Sequence, residues 1–146
     1  MGNFRNPSRA DIDAFLLRIR TIAIVGMSDN SFRPSFGVAR SMQSFGYRIV
    51  PINPSLTMVL GERCWPTLPA AIGGLDPCAP IDLVDVFRSP EFVPSVVNEC
   101  IRSKIPAIWL QDGVIHEEAA HRAQAAGLFT VMDRCLYRDR AMLAAS

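Results

Sequence analysis

The stretch TIAIVGMS (21–28) decides the fold. Its first six residues are a short, almost wholly apolar run closing on Gly26, which suits a strand covered on both faces, as strands of parallel sheets are. Working outward, the same kind of run recurs as YRIVPI (47–52), IDLVDVF (81–87), AIWLQ (107–111) and LFTVM (128–132). Helical stretches separate them. Val38 to Phe45 is stopped by Gly46, Glu91 to Ser103 has Ser89 as cap and Pro90 in its first turn, and His116 to Ala126 is stopped by Gly127. Pro94 removes a donor from the middle helix and is expected to distort its first turn. Ser8, with Asp11 three residues later and Ile12, Phe15, Leu16 and Ile19 at helical spacing, predicts a capped helix ahead of the first strand, ending near Arg20. The segment 53–80 is proline-rich and irregular, with a short helix at Thr67 to Ile72, and DRAMLA (139–144) adds a last short helix.

Five apolar runs joined by helices imply an α/β fold, a doubly wound five-stranded parallel sheet with helices on both faces and an added N-terminal helix. No repeat, linker or low-complexity segment interrupts the chain, so residues 1–146 read as a single domain with its core at about 15–136. In such sheets ligands sit outside the carboxyl ends of the strands, where strand order reverses. The residues just after each run are therefore the functional candidates.

Composition narrows the partners. The 146 residues are 49% hydrophobic and 20% charged, and 15 basic against 14 acidic side chains leave a net charge of +1, with no surplus for a nucleic-acid backbone or an anionic membrane. No stretch approaches the roughly 18 uninterrupted apolar residues of a membrane helix, and MGNFRNPSRAD lacks a signal-peptide core, so a cytoplasmic protein is expected. Cys64, Cys78, Cys100 and Cys135 form neither a CxxC pair nor a Cys/His cluster, and read as reduced thiols rather than zinc ligands or disulfides.

The turn after the first strand lies where a dinucleotide-binding fold places G-x-G-x-x-G, but only Gly26 of the three glycines is present and Ser28 stands in place of the second. The loop that follows carries Ser28, Ser31, Arg33 and Ser35. Hydroxyls, a guanidinium and a helix N-terminus can hold an anion; the alternative is that Gly26 and Gly37 only make turns around a solvated Arg33. After the second strand an NAD site wants a carboxylate for the ribose hydroxyls, and the chain offers Asn53, Pro54 and Ser55 instead. A neutral amide there is compatible with a phosphorylated ribose, or Asn53-Pro54 is merely a turn.

The ordered set GMS (26–28), RPS (33–35), YRIVPINP (47–54), DVFRSPE (85–91), WLQ (109–111) and MDRC (132–135) resembles the stand-alone coenzyme A-binding domain proteins, Rossmann-like and similar to the nucleotide-binding domain of the succinyl-coenzyme A synthetase α subunit. The sequence departs from that pattern at Ser55, where a basic residue is common, at Asp112, where an apolar one is common, and in a small insertion at 73–80. The resemblance implies coenzyme A as ligand. Gly26, Met27 and Ser28 would line its pyrophosphate, with Arg33 and Ser35 at the helix start. Asn53 and Pro54 would border the adenosine end, Phe87 and Arg88 would supply an apolar wall and a guanidinium, and Leu110 and Gln111 would border the adenine or pantetheine arm.

Catalytic candidates are few. HEEAAH (116–121) is not H-E-x-x-H, because histidines at i and i+5 point about 140° apart on a helix, which excludes a zinc protease. The synthetase's catalytic histidine belongs to a second domain that this chain is too short to carry. Cys135 is the one open chemical question, beside Arg134 at the sheet end, and its alternative is a small residue packed under the last helix. The reading is a non-catalytic or accessory module binding coenzyme A or an acyl-coenzyme A, with a protein partner supplying catalysis. An NAD-linked oxidoreductase is the rival, and an interaction domain that has lost its ligand is a third possibility.

Overall fold

The computed structural model describes residues 4–145. In chain order the elements are α1 (Arg9–Arg18), β1 (Thr21–Val25), α2 (Pro34–Ser44), β2 (Arg48–Ile52), β3 (Met58–Val59), β4 (Glu62–Arg63), α3 (Leu68–Gly74), β5 (Leu83–Val86), α4 (Val93–Arg102), β6 (Ala107–Leu110), α5 (Glu117–Ala125), β7 (Phe129–Met132) and α6 (Leu136–Ala145). Five strands form one parallel sheet in the order β2-β1-β5-β6-β7. The chain leaves β1 toward β2 and later returns to β5 on its other side, so strand order reverses between β1 and β5.

The apolar runs are continuous because both sheet faces are covered. On one face Ala23, Val25, Ile52, Val84, Val86, Ile108 and Leu110 pack against α3, α4 and α5, and on the other Ile22, Ile24, Ile49, Leu83, Trp109 and Val131 meet α1, α2 and α6. Ser8 caps α1 by accepting the Asp11 N–H at 3.1 Å, and Thr67 caps α3 by accepting the Ala70 N–H at 3.1 Å. The two helices thus start where their hydroxyls can satisfy otherwise unpaired donors.

Four local expectations change. Helix α2 begins at Pro34 rather than Val38, since proline at the first helical position sacrifices no bond. Pro94 sits in the first turn of α4, and the strain expected there is taken up by a separate 3-10 turn, Pro90–Phe92. The segment read as irregular contains the β3–β4 hairpin, whose turn uses positive φ at Leu60 (53°) and Gly61 (77°). The last helix starts earlier than DRAMLA, at Leu136.

Each free sheet edge is partly capped at its carboxyl end, which shortens the unpaired ladder that invites association. At β7 the Asn6 side chain donates to the Met132 carbonyl at 3.0 Å and accepts its N–H at 2.8 Å. At β2 the Trp65 N–H donates to the Pro51 carbonyl at 3.0 Å and the Trp65 carbonyl accepts the Asn53 N–H at 2.9 Å. The buried Asp139 joins α1 to α6, accepting from Arg9 at 2.7 Å and Arg134 at 2.6 Å.

Candidate ligand-binding site

The site grows from the strand-order reversal. At the end of β1 the chain turns through Gly26 at φ 87°, while the Phe87 N–H donates to the Val25 carbonyl at 2.8 Å and holds the loop after β5 against it. A cavity of about 580 Å³ opens above this junction, lined by Gly26, Met27, Ser28, Arg33, Ser35, Asn53, Phe87, Arg88 and Gln111 from four successive strand ends. A second hollow of about 670 Å³ lies toward α3 and α4, bordered by Pro54, Leu68, Val96, Glu99 and Arg102. Gly26, Asn53 and Arg88 line both, so the two are lobes of one cleft.

The loop after β1 holds itself in shape. The Ser28 N–H donates to Ser35 Oγ at 3.0 Å, the Asn30 N–H to Ser28 Oγ at 3.0 Å and the Phe32 N–H to Asn30 Oδ1 at 2.9 Å. Each serine thereby spends an acceptor lone pair on the backbone and keeps its hydroxyl proton for a ligand. Met27 is fully buried, and its backbone is spent on the protein: its N–H donates to the Ile52 carbonyl at 3.1 Å and its carbonyl accepts from Asn53 Nδ2 at 2.7 Å. Gln111 is 4% exposed and fixed by accepting the Leu136 N–H on Oε1 at 3.0 Å, which leaves its NH₂ as the free end.

Two expected roles are altered by packing. Leu110 lies wholly in the core and lines neither lobe, because the strand pleat turns it to the α4 side while Gln111 turns to the cleft. Asn53 borders both lobes, but its amide is tied to the protein, with Nδ2 donating to the Met27 carbonyl at 2.7 Å and Oδ1 accepting the Ser55 N–H at 2.7 Å. An aspartate there could not donate and would set two acceptors against each other. Asn53→Asp is therefore expected to lose about 1–3 kcal/mol of stability without any ligand present, read as a fall of roughly 4–10 °C in thermal unfolding. An unchanged Tm would show that the bond to Met27 is not holding the loop.

Charge at the mouth is asymmetric. The acids lining the two lobes are Asp112 and Glu99, and each has a partner, Arg138 at 2.8 Å and Arg102 at 2.8 Å. The Ser103 hydroxyl, aided by Arg102, holds the Glu99 carboxyl below its usual range against the opposing effect of burial. Among the described residues Arg33 and Arg88, which line the first lobe, have no carboxylate partner. Cys135 lines the first lobe and is half-buried. Cys64 and Cys100 are buried, and burial pushes the Cys100 thiol up to about 12. His116 lies outside both lobes and caps α5, with Nδ1 accepting the Ala119 N–H at 3.1 Å.

Sequence reasoning missed Val114, which lines the first lobe, and Pro66, Ser95 and Val96, which line the second. Val114 lies beyond the turn after β6, and the others belong to the segment read as irregular and to α4. Among the described residues no three His, Cys, Asp or Glu side chains gather as metal ligands, and no helix is long and apolar enough to cross a membrane.

Comparison with known proteins places this geometry. The family model of the CoA binding domain matches residues 20–140. The uncharacterized protein YneT of Bacillus subtilis is 38% identical over 132 residues, covering 90% of this chain and 93% of that protein. A hypothetical protein from Pyrococcus horikoshii OT3 superposes with a TM-score of 0.85 at 30% identity, over 99% of both chains. The ADP-forming acetate–CoA ligase II of Archaeoglobus fulgidus is 23% identical over 72% of this chain, which matches only 15% of the ligase. From the first strand to the last helix, this chain belongs to the CoA-binding domain family.

Proposed function

We propose that the cleft binds coenzyme A or an acyl-coenzyme A, and that this single domain acts as a non-catalytic or accessory binding module in the cytoplasm. The observation that carries the reading is the pair of guanidinia without a carboxylate partner, Arg33 and Arg88, on a two-lobed cleft whose acids are already ion-paired. Coenzyme A is a polyanion with a long, flexible pantetheine arm, and arginine forks suit its phosphates. Ser35 at the start of α2, with Arg33 before it, adds hydroxyl and helix N-terminal donors on the same side. An NAD reading finds less support, since the chain after β2 has no carboxylate for a ribose diol and the Asn53 amide is already engaged. Where a thioester is made or broken, we assign that chemistry to a partner protein. The ligase from Archaeoglobus supports this division of labour, as the matching stretch is a small part of that enzyme.

Calorimetric titration with coenzyme A, dephospho-coenzyme A and NAD tests the reading. Coenzyme A is expected to bind about tenfold or more tightly than dephospho-coenzyme A, the scale of one charged hydrogen bond, and to raise Tm in proportion. NAD binding more tightly than coenzyme A at equal concentration would overturn the assignment in favour of an oxidoreductase.

A further inference from the structure

We propose that Phe92 is a positioning residue that holds the Arg88 guanidinium ready for a phosphate of the ligand; this rests on the coenzyme A reading above. Arg88 is exposed, lines both lobes of the cleft and has no carboxylate partner among the described residues. It is nevertheless held at two points. Its Cδ lies 3.4 Å from where a β-carbon on Gly26 would stand, so the stem rests over that glycine, and its guanidinium carbon lies 3.9 Å from the centre of the Phe92 ring. The backbone that carries the ring is anchored. The Phe92 N–H donates to the Ser89 carbonyl at 3.0 Å, and its carbonyl accepts from Ser95 Oγ at 2.9 Å, fixing the backbone where the 3-10 turn passes into α4.

Stacking uses the face of a guanidinium and leaves its N–H groups, which lie in the plane, free for a bidentate anion. A long flexible cation without such a stack must be ordered when the ligand arrives, at a cost in affinity. Phe92, 41% exposed and contributing nothing to either core cluster, removes part of that cost.

The test is a double-mutant cycle on coenzyme A affinity by calorimetry, with Tm recorded for each protein. Phe92→Leu is expected to weaken binding about two- to fivefold, the value of an exposed cation–π contact, with little change in Tm. Arg88→Ala is expected to weaken it about tenfold or more, and Phe92→Leu added to Arg88→Ala is expected to weaken it no further. Phe92→Trp keeps a π face and is expected to bind at least as tightly as the parent protein. The same loss from Phe92→Leu in the Arg88→Ala background, or a loss in Phe92→Trp equal to that in Phe92→Leu, overturns the role given to Phe92 while leaving the ligand reading intact. Failure of the parent protein to bind coenzyme A overturns the ligand reading, and this role falls with it.

Discussion

Gly26→Ala is expected to destabilise the domain strongly, because the added methyl meets backbone that cannot move aside. A β-carbon at that position would stand 2.5 Å from the Phe87 carbonyl oxygen and 3.0 Å from its carbon, and both are backbone atoms with no free rotamer to escape into. The φ of 87° adds the cost of a left-handed conformation for a residue with a side chain, about 1–2 kcal/mol. Relief requires moving the loop after β5 away from β1, although the Phe87 N–H is bonded to the Val25 carbonyl and the Gly26 N–H to the Ile52 carbonyl. Overpacking of this kind costs about 1–3 kcal/mol, so the total is about 2–5 kcal/mol in a domain whose whole stability is on the order of 5–15. Thermal unfolding is expected to fall by roughly 6–15 °C. Because the displaced residues, Phe87 and Arg88, line the cleft, coenzyme A affinity is expected to fall with it. A variant with the parent Tm would show that the turn has another accessible conformation.

The second large effect runs the other way. Asp85 lies in the middle of β5, in register with Ile24 on β1 and Trp109 on β6, wholly buried, and neither carboxylate oxygen has a hydrogen-bond partner. Burial pushes its carboxyl well above the usual value of 3.8. The nearby Val86 N–H pulls in the opposite direction more weakly, without completing a hydrogen bond to it. The unfolded chain therefore gives up this proton at lower pH than the native protein does. Between 3.8 and the raised folded value the native state binds more protons, so stability falls as pH rises. Asp85→Asn keeps the size and removes the titration. The variant is expected to lack this falling limb and to be more stable than the parent at neutral pH, with the difference shrinking as pH falls toward 3.8. Urea unfolding from acid to neutral pH checks it. Parallel pH profiles for the two proteins would mean that the carboxylate is satisfied in the native state.

Much of the architecture is local and therefore legible in the residues. A run such as TIAIVG suits a parallel strand covered by helices on both faces, and Ser8, Thr67 and Gly127 mark where helices start or stop because capping depends on neighbours a few positions away. The order of the strand ends along the chain likewise brought Gly26, Arg33, Asn53, Phe87 and Gln111 to one sheet edge. Two-residue strands carry no periodicity, which is why the β3–β4 hairpin was invisible.

The direction of a side chain and the partner that claims it were decided only by the tertiary structure. Leu110 and Gln111 are adjacent in sequence, and pleating sends one into the core and the other to the cleft. Asn53 is claimed by a carbonyl 26 residues away and Met132 by a side chain 126 residues away. The sequence by itself determined which elements form and which loops share an edge, because periodicity, caps and glycines act over a few residues. Whether a polar group in those loops is spent on the protein or left for a ligand was settled by long-range packing, since that depends on which distant donor or acceptor the fold sets beside it.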